Sequence, residues 1–401
     1  MSPPTSFPAY HHASPPLALA SQTPLTAPDA ERVVDVSKEP WTSKYGSQED
    51  LGYSGPLSFS HMPYSRCLDD ANARFDIAIL GFPFDTTVSY RPGARFGPYG
   101  IRSGSRRQRP DGWTLAWGQS PTELGASLID CGDVPLSAYD NLKALDQMEA
   151  AYTTLLGRPV ASAAKATRIT SRSASLALDG VPHPAIVTLG GDHTVTLPIL
   201  RSLSKFYGKV SVIHFDSHFD TGKSGNETGK YERITHGSYF TVAYEEGHMT
   251  NRSVHGGIRQ KMRDHLQLRH DEDVGFEVIS AEDIDDYGLD NVVSAIRARV
   301  GDTPVYLTLD IDVIDPAFAP ATGTPEAGGW SVREMKRILR GLTGLNFVGA
   351  DLVEVAPAYD NADVTSIAAA DLVHDFLAMI QMEAPPPKHN GPFLMKGKAE
   401  L

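Results

Sequence analysis

The sequence predicts an α/β protein built on a parallel sheet that is covered by helices. Short apolar runs rich in β-branched residues alternate with segments of helical periodicity, which is the order expected of parallel strands joined by crossover helices. The runs are almost continuously apolar, as expected of strands that are buried on both faces. The strand candidates are FDIAILGFP, ASLIDCGD, AIVTLGGDH, VSVIHFD, VGFEVIS, VYLTLDID and NFVGADLVEV.

The helical segments between these runs have recognisable ends. DNLKALDQMEAAYTTLLG begins at an Asp/Asn cap and stops at Gly157, where glycine favours helix termination. SVREMKRILRGLTG carries Ser331 and Glu334 at the spacing of a capping box. ADVTSIAAADLVHDFLAMI is apolar around most of its circumference, so we expect this helix to pack on the sheet.

The two ends of the chain differ from its middle in composition. Residues 1–60 are rich in Pro, Ser, Thr and His with little periodicity, and residues 385–401 have the same character. Such segments bury too little apolar surface to form a core. We therefore predict two terminal tails around one folded domain, residues 61–384, which would carry the functional site.

Composition and charge exclude several classes of protein. The 401-residue chain has a formal net charge of −13 and no dense basic run, which argues against a nucleic-acid or anionic-membrane partner. No apolar stretch approaches the roughly 18 residues that cross a bilayer, and the N-terminus lacks the pattern of a secretory signal. Cys67 and Cys131 form neither a disulfide framework nor a zinc-ligand spacing. We expect a cytoplasmic protein in a reducing compartment.

Several strand candidates end in acids or imidazoles. Because the carboxyl ends of parallel strands meet at one edge of a sheet, these groups can converge. Burying a carboxylate that has no neutralising partner costs roughly several kcal/mol. Several carboxylates at one site therefore need bound cations. Two imidazoles and several carboxylates without a thiolate suit manganese better than structural zinc. Any single Asp is more simply a cap or turn residue, but the combined DxHxD and DxD spacings favour a pair of divalent ions.

The motifs GGDH, FDSHFD, THGSYF, LDIDVIDPAFAPATGTPEAGG and ADLVEVAP resemble those of the ureohydrolases, the arginase and agmatinase superfamily, over about residues 76 to 383. YRPGARFGP, DSHFDT and GTPEAGGW are most similar to the fungal agmatinase and 4-guanidinobutyrase branch. The resemblance implies a three-layer α/β/α fold around an eight-stranded, mostly parallel sheet. It also implies two Mn²⁺ per subunit, hydrolysis of a guanidino group to urea and an amine, and a homo-oligomer, either a trimer or a hexamer.

The resemblance also assigns metal ligands. One ion would be held by His193, Asp216, Asp220 and Asp310, and the other by Asp216, His218, Asp310 and Asp312, with Asp216 and Asp310 bridging. Alternation along an extended segment turns residues 216, 218 and 220 to one side, which accounts for their spacing. His214 precedes this set, either as a support for the ligands or as a packed imidazole, and packing is the favoured interpretation.

Three residues would carry catalytic roles by the same resemblance. His236 matches the histidine that exchanges protons during turnover, a task suited to an imidazole. Glu354 matches the carboxylate that binds and orients the planar guanidinium of the substrate. Asp220 would transfer a proton to the leaving nitrogen, because an amine leaves only when protonated.

The substrate is less constrained by the sequence. Arginine-specific relatives carry an SGNxHG loop, whereas here the SGN triplet lies far from His236, which disfavours an arginase. A carboxylate tail, as in 4-guanidinobutyrate, would be bound by Arg91 or Arg259, and an ammonium tail, as in agmatine, by Tyr239 or Tyr90. Resemblance to the fungal branch favours 4-guanidinobutyrate over agmatine.

Two functions from other classes remain as alternatives. A dinuclear phosphoesterase also uses clustered Asp and His, but it would place further cations beside the metals and give VEVAP no role. A non-catalytic regulatory relative would be expected to lose a ligand, whereas all the proposed ligands are present here. Both alternatives are disfavoured.

Overall fold

Eight parallel strands form one sheet in the computed structural model, which describes residues 57–109, 111–162, 167–223, 233–262 and 264–386. The strand order is β2-β1-β3-β8-β7-β4-β5-β6, and every pairing is parallel. The eight-stranded α/β architecture expected from the sequence is confirmed. The strands are β1 (Ile77–Gly81), β2 (Leu128–Asp133), β3 (Ala185–Leu189), β4 (Ser211–Phe215), β5 (Ser253–Ile258), β6 (Phe276–Ser280), β7 (Val305–Asp310) and β8 (Phe347–Val353).

Helices connect the strands and cover both faces of the sheet. In the described residues they are α1 (Gly97–Gly104), α2 (Asn141–Leu156), α3 (Arg168–Leu176), α4 (Thr196–Tyr207), α5 (Tyr239–Glu245), α6 (Leu266–Asp273), α7 (Asp283–Asp286), α8 (Leu289–Val300), α9 (Val332–Leu342) and α10 (Val364–Gln381). Short 3₁₀ turns follow several strand ends, including His193–Val195 and Ile311–Val313.

The predicted helix ends are confirmed. The Asp140 side chain accepts a hydrogen bond from the backbone N–H of Lys143 at the start of α2. Ser331 and Glu334 form the reciprocal capping box of α9. A cap of this kind stabilises a helix by roughly 1 kcal/mol. α10, at 18 residues, is long and apolar enough to cross a membrane, but most of its length is buried inside the protein, as expected of a core helix.

Two apolar cores lie on opposite faces of the sheet. One contains buried side chains of α8, α9 and α10, such as Ile296, Ile338 and Phe376. The other contains side chains of α2, α4 and α5, such as Met148 and Leu203. This arrangement gives the three layers, helices over sheet over helices, that the resemblance implied.

The strand that the sequence analysis did not predict is β5, SVHGGI. Two glycines and a histidine interrupt its apolar pattern, and glycine normally weakens a strand. Packing requires the first glycine, because a Cβ atom at Gly256 would lie 2.9 Å from the Phe215 ring. The deviation from the expected pattern therefore reflects tight contact with β4.

Cys67 and Cys131 form a disulfide, which the sequence analysis did not predict. Both cysteines are buried, and the bond joins the segment before β1 to β2. A single pair in a chain of this length carries no spacing pattern that distinguishes it from two free thiols. The predicted tails lie mostly outside the described residues, in segments 1–56 and 387–401, so their boundaries remain predictions.

Candidate metal centre

Acidic and imidazole side chains gather where the four central strands end. β3, β8, β7 and β4 are neighbours in the sheet, so the residues at their carboxyl ends meet at one edge. His193 follows β3, Asp216 follows β4, Asp310 ends β7 and Glu354 follows β8. The strand order thus brings together groups that are distant in the chain.

One group of ligand atoms surrounds the Nδ1 atom of His193. This atom lies 3.1 Å from Asp216 Oδ2, 3.0 Å from Asp220 Oδ2 and 3.4 Å from Asp310 Oδ2. It is buried and has no hydrogen-bond partner of good geometry in the described residues. The other ring nitrogen, Nε2, lies 2.8 Å from Thr308 Oγ1, and this contact fixes the ring orientation. A ring nitrogen facing three carboxylates is the environment that a bound cation needs.

A second group of ligand atoms surrounds His218. Its Nδ1 atom lies 3.0 Å from Asp312 Oδ2 and 3.3 Å from Asp216 Oδ1. Asp216 therefore presents one oxygen to each group, which is the geometry of a bridging carboxylate. Asp312 is held in place by Ser217, whose N–H and hydroxyl donate to its Oδ1 at 3.0 and 2.7 Å.

The charge of the four aspartates supports cation binding. All four carboxylates are at most 8% exposed. Burial, together with the charges of Asp312 and Asp216, raises the pKa of Asp310 well above its ordinary value. Burial and the nearby Asp216 carboxylate also raise the pKa values of Asp220 and Asp312. Carboxylates crowded in this way retain protons unless cations neutralise them, so the residues present fit a pair of divalent ions.

Asp220 and Glu354 both adopt left-handed backbone conformations, with φ of 55° and 62°. Such conformations are uncommon for residues other than glycine, and they cluster at functional sites because surrounding structure must enforce them. The backbone N–H of Glu354 donates to Gly191 O at 2.8 Å, which helps to hold this conformation. Both side chains are thereby directed into the site.

Glu354 pairs with His236 and keeps one oxygen free. Its carboxylate is fully buried, and its Oε1 accepts from the backbone N–H of His193 at 2.9 Å and lies 3.2 Å from His236 Nδ1. Oε2 has no hydrogen-bond partner in the described residues. On its other side, His236 Nε2 lies 2.9 Å from Ser89 Oγ. Burial alone would lower the pKa of His236, but the hydrogen bond to Glu354 and its charge raise it to about 9.

A cavity of about 190 Å³ opens over these residues. It is large enough for a small linear molecule and reaches candidate ligands of both groups. Among the described residues that line it there is no Lys or Arg. The lining residues are Ser89, His218, Asp220, Gly222, His236, Gly237, Gln260, Gln267, Asp310 and Thr324.

The structure does not place the expected tail-binding residues at the cavity. Tyr239, predicted to bind substrate, is fully buried, with its ring centroid 5.0 Å from that of His193. It lies on the inner face of α5, so its position supports a metal ligand rather than a substrate contact. Tyr90 is 68% exposed, and the Arg91 guanidinium lies against the rings of Tyr90 and Tyr359.

Arg259 is also committed elsewhere. Its Nη2 donates to the backbone carbonyls of Asp312 and Glu326 at 2.6 and 2.7 Å. The guanidinium therefore ties together the loop that carries Asp312 and does not reach the cavity. The SGN segment, on which the argument against an arginase rested, falls largely in residues 224–232, outside the described part of the chain.

The interpretation of His214 as a merely packed imidazole is wrong. Its Nε2 lies 2.9 Å from Asp216 Oδ2 and its Nδ1 lies 2.6 Å from His255 Nδ1. Burial lowers the pKa of His214 to about 3, so the ring is neutral. Residues from other segments also contact the site and were not predicted from the sequence. They are Ser89, Gln260, Gln267, Thr308 and Thr324 at or beside the cavity and His255 and Asp271 behind it.

Comparisons with known proteins agree with this arrangement. The model of the family described as "Arginase family" matches residues 75–379. The Schizosaccharomyces pombe protein named "Putative agmatinase 1" is 49% identical over 339 residues, which cover 83% of this chain and 84% of that protein. The agmatinase of Cronobacter sakazakii is 38% identical over 323 residues, which cover 80% of this chain and 90% of that protein.

A solved structure shows the same fold. The structure of proclavaminate amidino hydrolase from Streptomyces clavuligerus is similar to this one, with a TM-score of 0.70 at 31% identity. The match covers 83% of this chain and 99% of that chain. The likeness therefore extends over nearly the whole of that protein.

Proposed function

The chain belongs to the arginase family and is a hydrolase of guanidino carbon–nitrogen bonds, and from this premise we propose that its substrate is agmatine, cleaved to urea and putrescine. The single observation that carries the proposal is the cavity over the metal ligands. It is lined by His236, the partner of the buried Glu354 carboxylate, and, in the described residues, by no Lys or Arg that would bind a carboxylate tail. Relatives named as agmatinases support the same substrate.

The guanidinium end of the substrate would bind Glu354. A fully buried carboxylate with one oxygen lacking a partner carries an unsatisfied charge, which costs roughly 1–3 kcal/mol or more. A guanidinium matches it because the planar group donates two parallel hydrogen bonds to a carboxylate. His236 Nδ1 already contacts the other oxygen, Oε1, so an incoming guanidinium would be directed toward Oε2.

The other end of the substrate distinguishes agmatine from 4-guanidinobutyrate, which the fungal-branch resemblance had favoured. A carboxylate tail needs a cation or a cluster of donors. Arg259 and Arg91, the expected cations, make other contacts and do not line the cavity. Gln260 and Gln267 line it and supply neutral amide groups. Gln260 Oε1 already accepts from the backbone N–H of Phe219 at 3.1 Å, whereas the amide oxygen of Gln267 can accept from an ammonium tail. The absence of Lys and Arg from the described lining therefore supports the ammonium-tailed substrate.

We propose that manganese is the metal, held by the two groups of ligands that share Asp216. Carboxylate and imidazole ligands without a thiolate suit Mn²⁺. The first ion would take His193, Asp216, Asp220 and Asp310, and the second Asp216, His218, Asp310 and Asp312. Bound there, two divalent ions would neutralise the carboxylates and make water nucleophilic near neutral pH.

The remaining steps belong to residues of the chain. Glu354 holds the guanidinium, so that its central carbon faces the metal centre. Asp220 lines the cavity and is placed to receive a proton and return it to the leaving nitrogen, which departs as an amine. His236 is 14% exposed and contacts Ser89 near the cavity mouth, a position from which an imidazole exchanges protons with solvent.

The test is urea release by the manganese-loaded protein with agmatine, 4-guanidinobutyrate, 3-guanidinopropionate and arginine at equal concentrations. We expect the highest kcat/KM for agmatine. A higher value for 4-guanidinobutyrate would contradict the proposed tail specificity while retaining the reaction class. Hydrolysis of a phosphate ester without urea release from any guanidine would contradict the whole proposal. The Glu354→Ala protein serves as the inactive control.

A further inference from the structure

A buried chain of hydrogen bonds runs from Asp216 away from the cavity. Asp216 Oδ2 lies 2.9 Å from His214 Nε2, and His214 Nδ1 lies 2.6 Å from His255 Nδ1. His255 Nε2 lies 3.0 Å from Asp271 Oδ1, which also accepts from the Thr221 hydroxyl at 2.7 Å. These five residues are at most 1% exposed. The chain links β4, β5 and α6 behind the metal centre.

The directions of the first two hydrogen bonds follow from the groups involved. The carboxylate of Asp216 can only accept, so Nε2 of His214 donates to it. A neutral imidazole that donates through Nε2 accepts at Nδ1, so Nδ1 of His255 is the donor in the contact between the two histidines. His255 Nε2 and Asp271 Oδ1 form the next hydrogen bond, at 3.0 Å. The orientation of His214 thus depends on His255, and that of His255 depends on Asp271.

His255 and Asp271 have no part in the reaction as proposed above. Neither lines the cavity. The His255 ring stacks on Phe276 at a centroid distance of 3.8 Å and contacts the edges of Phe219 and Phe240. An apolar side chain would fill such an aromatic environment without needing a hydrogen-bond partner. The polar pair therefore calls for an explanation beyond packing.

We infer that His255 and Asp271 are positioning residues that fix Asp216, through His214, in its bridging orientation. Asp216 contributes an oxygen to each ligand group, so rotation of its carboxylate would weaken both metal sites at once. Groups that hydrogen-bond to metal ligands typically change metal affinity by roughly 10- to 100-fold when they are removed. The inference rests on the proposed metal centre but is independent of which guanidine is hydrolysed.

The test measures Mn²⁺ affinity rather than activity. Apo protein is titrated with Mn²⁺, and free Mn²⁺ is quantified from its electron paramagnetic resonance signal. The key variant is His255→Phe, which keeps the ring but removes both hydrogen bonds. His255→Asn is the rescue variant, because its amide nitrogen takes the place of Nδ1 and can still donate to His214. His183→Phe is the matched control. His183 is a buried histidine that precedes β3, so it lies at the amino ends of the strands, whereas the metal centre lies at their carboxyl ends.

We expect His255→Phe to weaken Mn²⁺ binding by about 10- to 100-fold. His255→Asn should bind Mn²⁺ with an affinity within about threefold of wild type. His183→Phe should bind Mn²⁺ as wild type does. Circular dichroism establishes that each apo variant is folded. If His255→Phe does not fold, Asp271→Asn takes its place with an expected loss of about 10-fold. Wild-type affinity in His255→Phe, or in Asp271→Asn where it takes its place, would overturn the inference. Equal losses in His255→Asn and His255→Phe would also overturn it. Failure of wild type to bind two ions would instead overturn the proposed metal centre.

Discussion

The Oε1 atom of Glu354 lies 3.2 Å from Nδ1 of His236, and the second carboxylate oxygen contacts no donor in the described residues. This pair joins the two parts of the proposed chemistry. The contact through Oε1 raises the pKa of His236. Under the proposed function, Oε2 would accept a hydrogen bond from the substrate guanidinium. The roles of the two residues can be tested separately, because each residue can be replaced while the other remains.

We expect Glu354→Gln to lower kcat/KM for agmatine by roughly 10- to 150-fold, equivalent to the 1.5–3 kcal/mol of a hydrogen bond to a charged group. The amide keeps the shape of the side chain but loses the charge that pairs with a guanidinium. Steady-state urea release measures the effect. Glu277→Gln, at a glutamate that is 63% exposed and pairs with Arg299, is the control and should leave kcat/KM unchanged. Equal kinetics of the two variants would remove Glu354 from substrate binding.

The stability of the metal-free protein should depend on pH through His236. Its pKa is raised from 6.5 to about 9, so the folded state binds the proton more tightly than the unfolded state does. The resulting stabilisation is complete below about pH 6.5 and is lost as pH rises through about 9. We therefore expect the difference in unfolding free energy between wild type and His236→Asn to shrink over this interval. Chemical denaturation at a series of pH values measures it, and a difference independent of pH would contradict the assignment.

Arg259 should act on the metal centre and not on substrate choice. We expect Arg259→Lys to lower the free energy of unfolding by roughly 1.5–3 kcal/mol, because an ammonium cannot reproduce the fork that binds several carbonyls. The variant should also bind Mn²⁺ more weakly, since Arg259 holds the backbone of Asp312. The preference for agmatine over 4-guanidinobutyrate should not change.

Arg299→Lys is the matched control for Arg259→Lys. Arg299 also donates to backbone carbonyls, those of Asn251 and Ser253, but at the amino end of β5. It should lose comparable stability and keep wild-type Mn²⁺ affinity. A selective loss of 4-guanidinobutyrate hydrolysis in Arg259→Lys would show instead that this arginine reads a carboxylate tail.

The disulfide should stabilise the fold without affecting the site. Cys67 and Cys131 are separated by 64 residues, and closing a loop of that size in the unfolded chain stabilises the folded state by about 2–4 kcal/mol. We expect a reductant to lower the midpoint of guanidinium-induced unfolding in wild type and to leave the Cys67→Ser/Cys131→Ser protein unchanged. Identical midpoints with and without reductant in wild type would mean that the bond does not form or does not contribute.

The sequence could predict the ligands at strand ends because their signals are local. Asp216, His218 and Asp220 alternate along one short segment, and parallel strands place such segments at a common edge. The partner of His214 could not be found in this way. His255 lies opposite His214 in the register between β4 and β5, which a single sequence does not reveal, and β5 itself was obscured by its glycines.

The same limit explains the residues that were assigned to the substrate tail. Tyr239 follows the THGS motif closely in sequence, but it begins a helix whose inner face packs on His193. Arg259 follows β5 closely, yet the carbonyls that engage it come from the loop over residues 312–326. The sequence shows the chemical type of both side chains. It does not show where each side chain points, because that depends on contacts between distant segments.

Anomalous diffraction at the manganese edge, from crystals of the Mn²⁺-loaded protein, would locate the bound ions themselves. We expect two peaks roughly 3.5–4 Å apart, one beside His193, Asp216 and Asp220 and the other beside Asp216, His218 and Asp312. A single peak, peaks elsewhere in the molecule, or none in protein that releases urea would contradict the proposed metal centre.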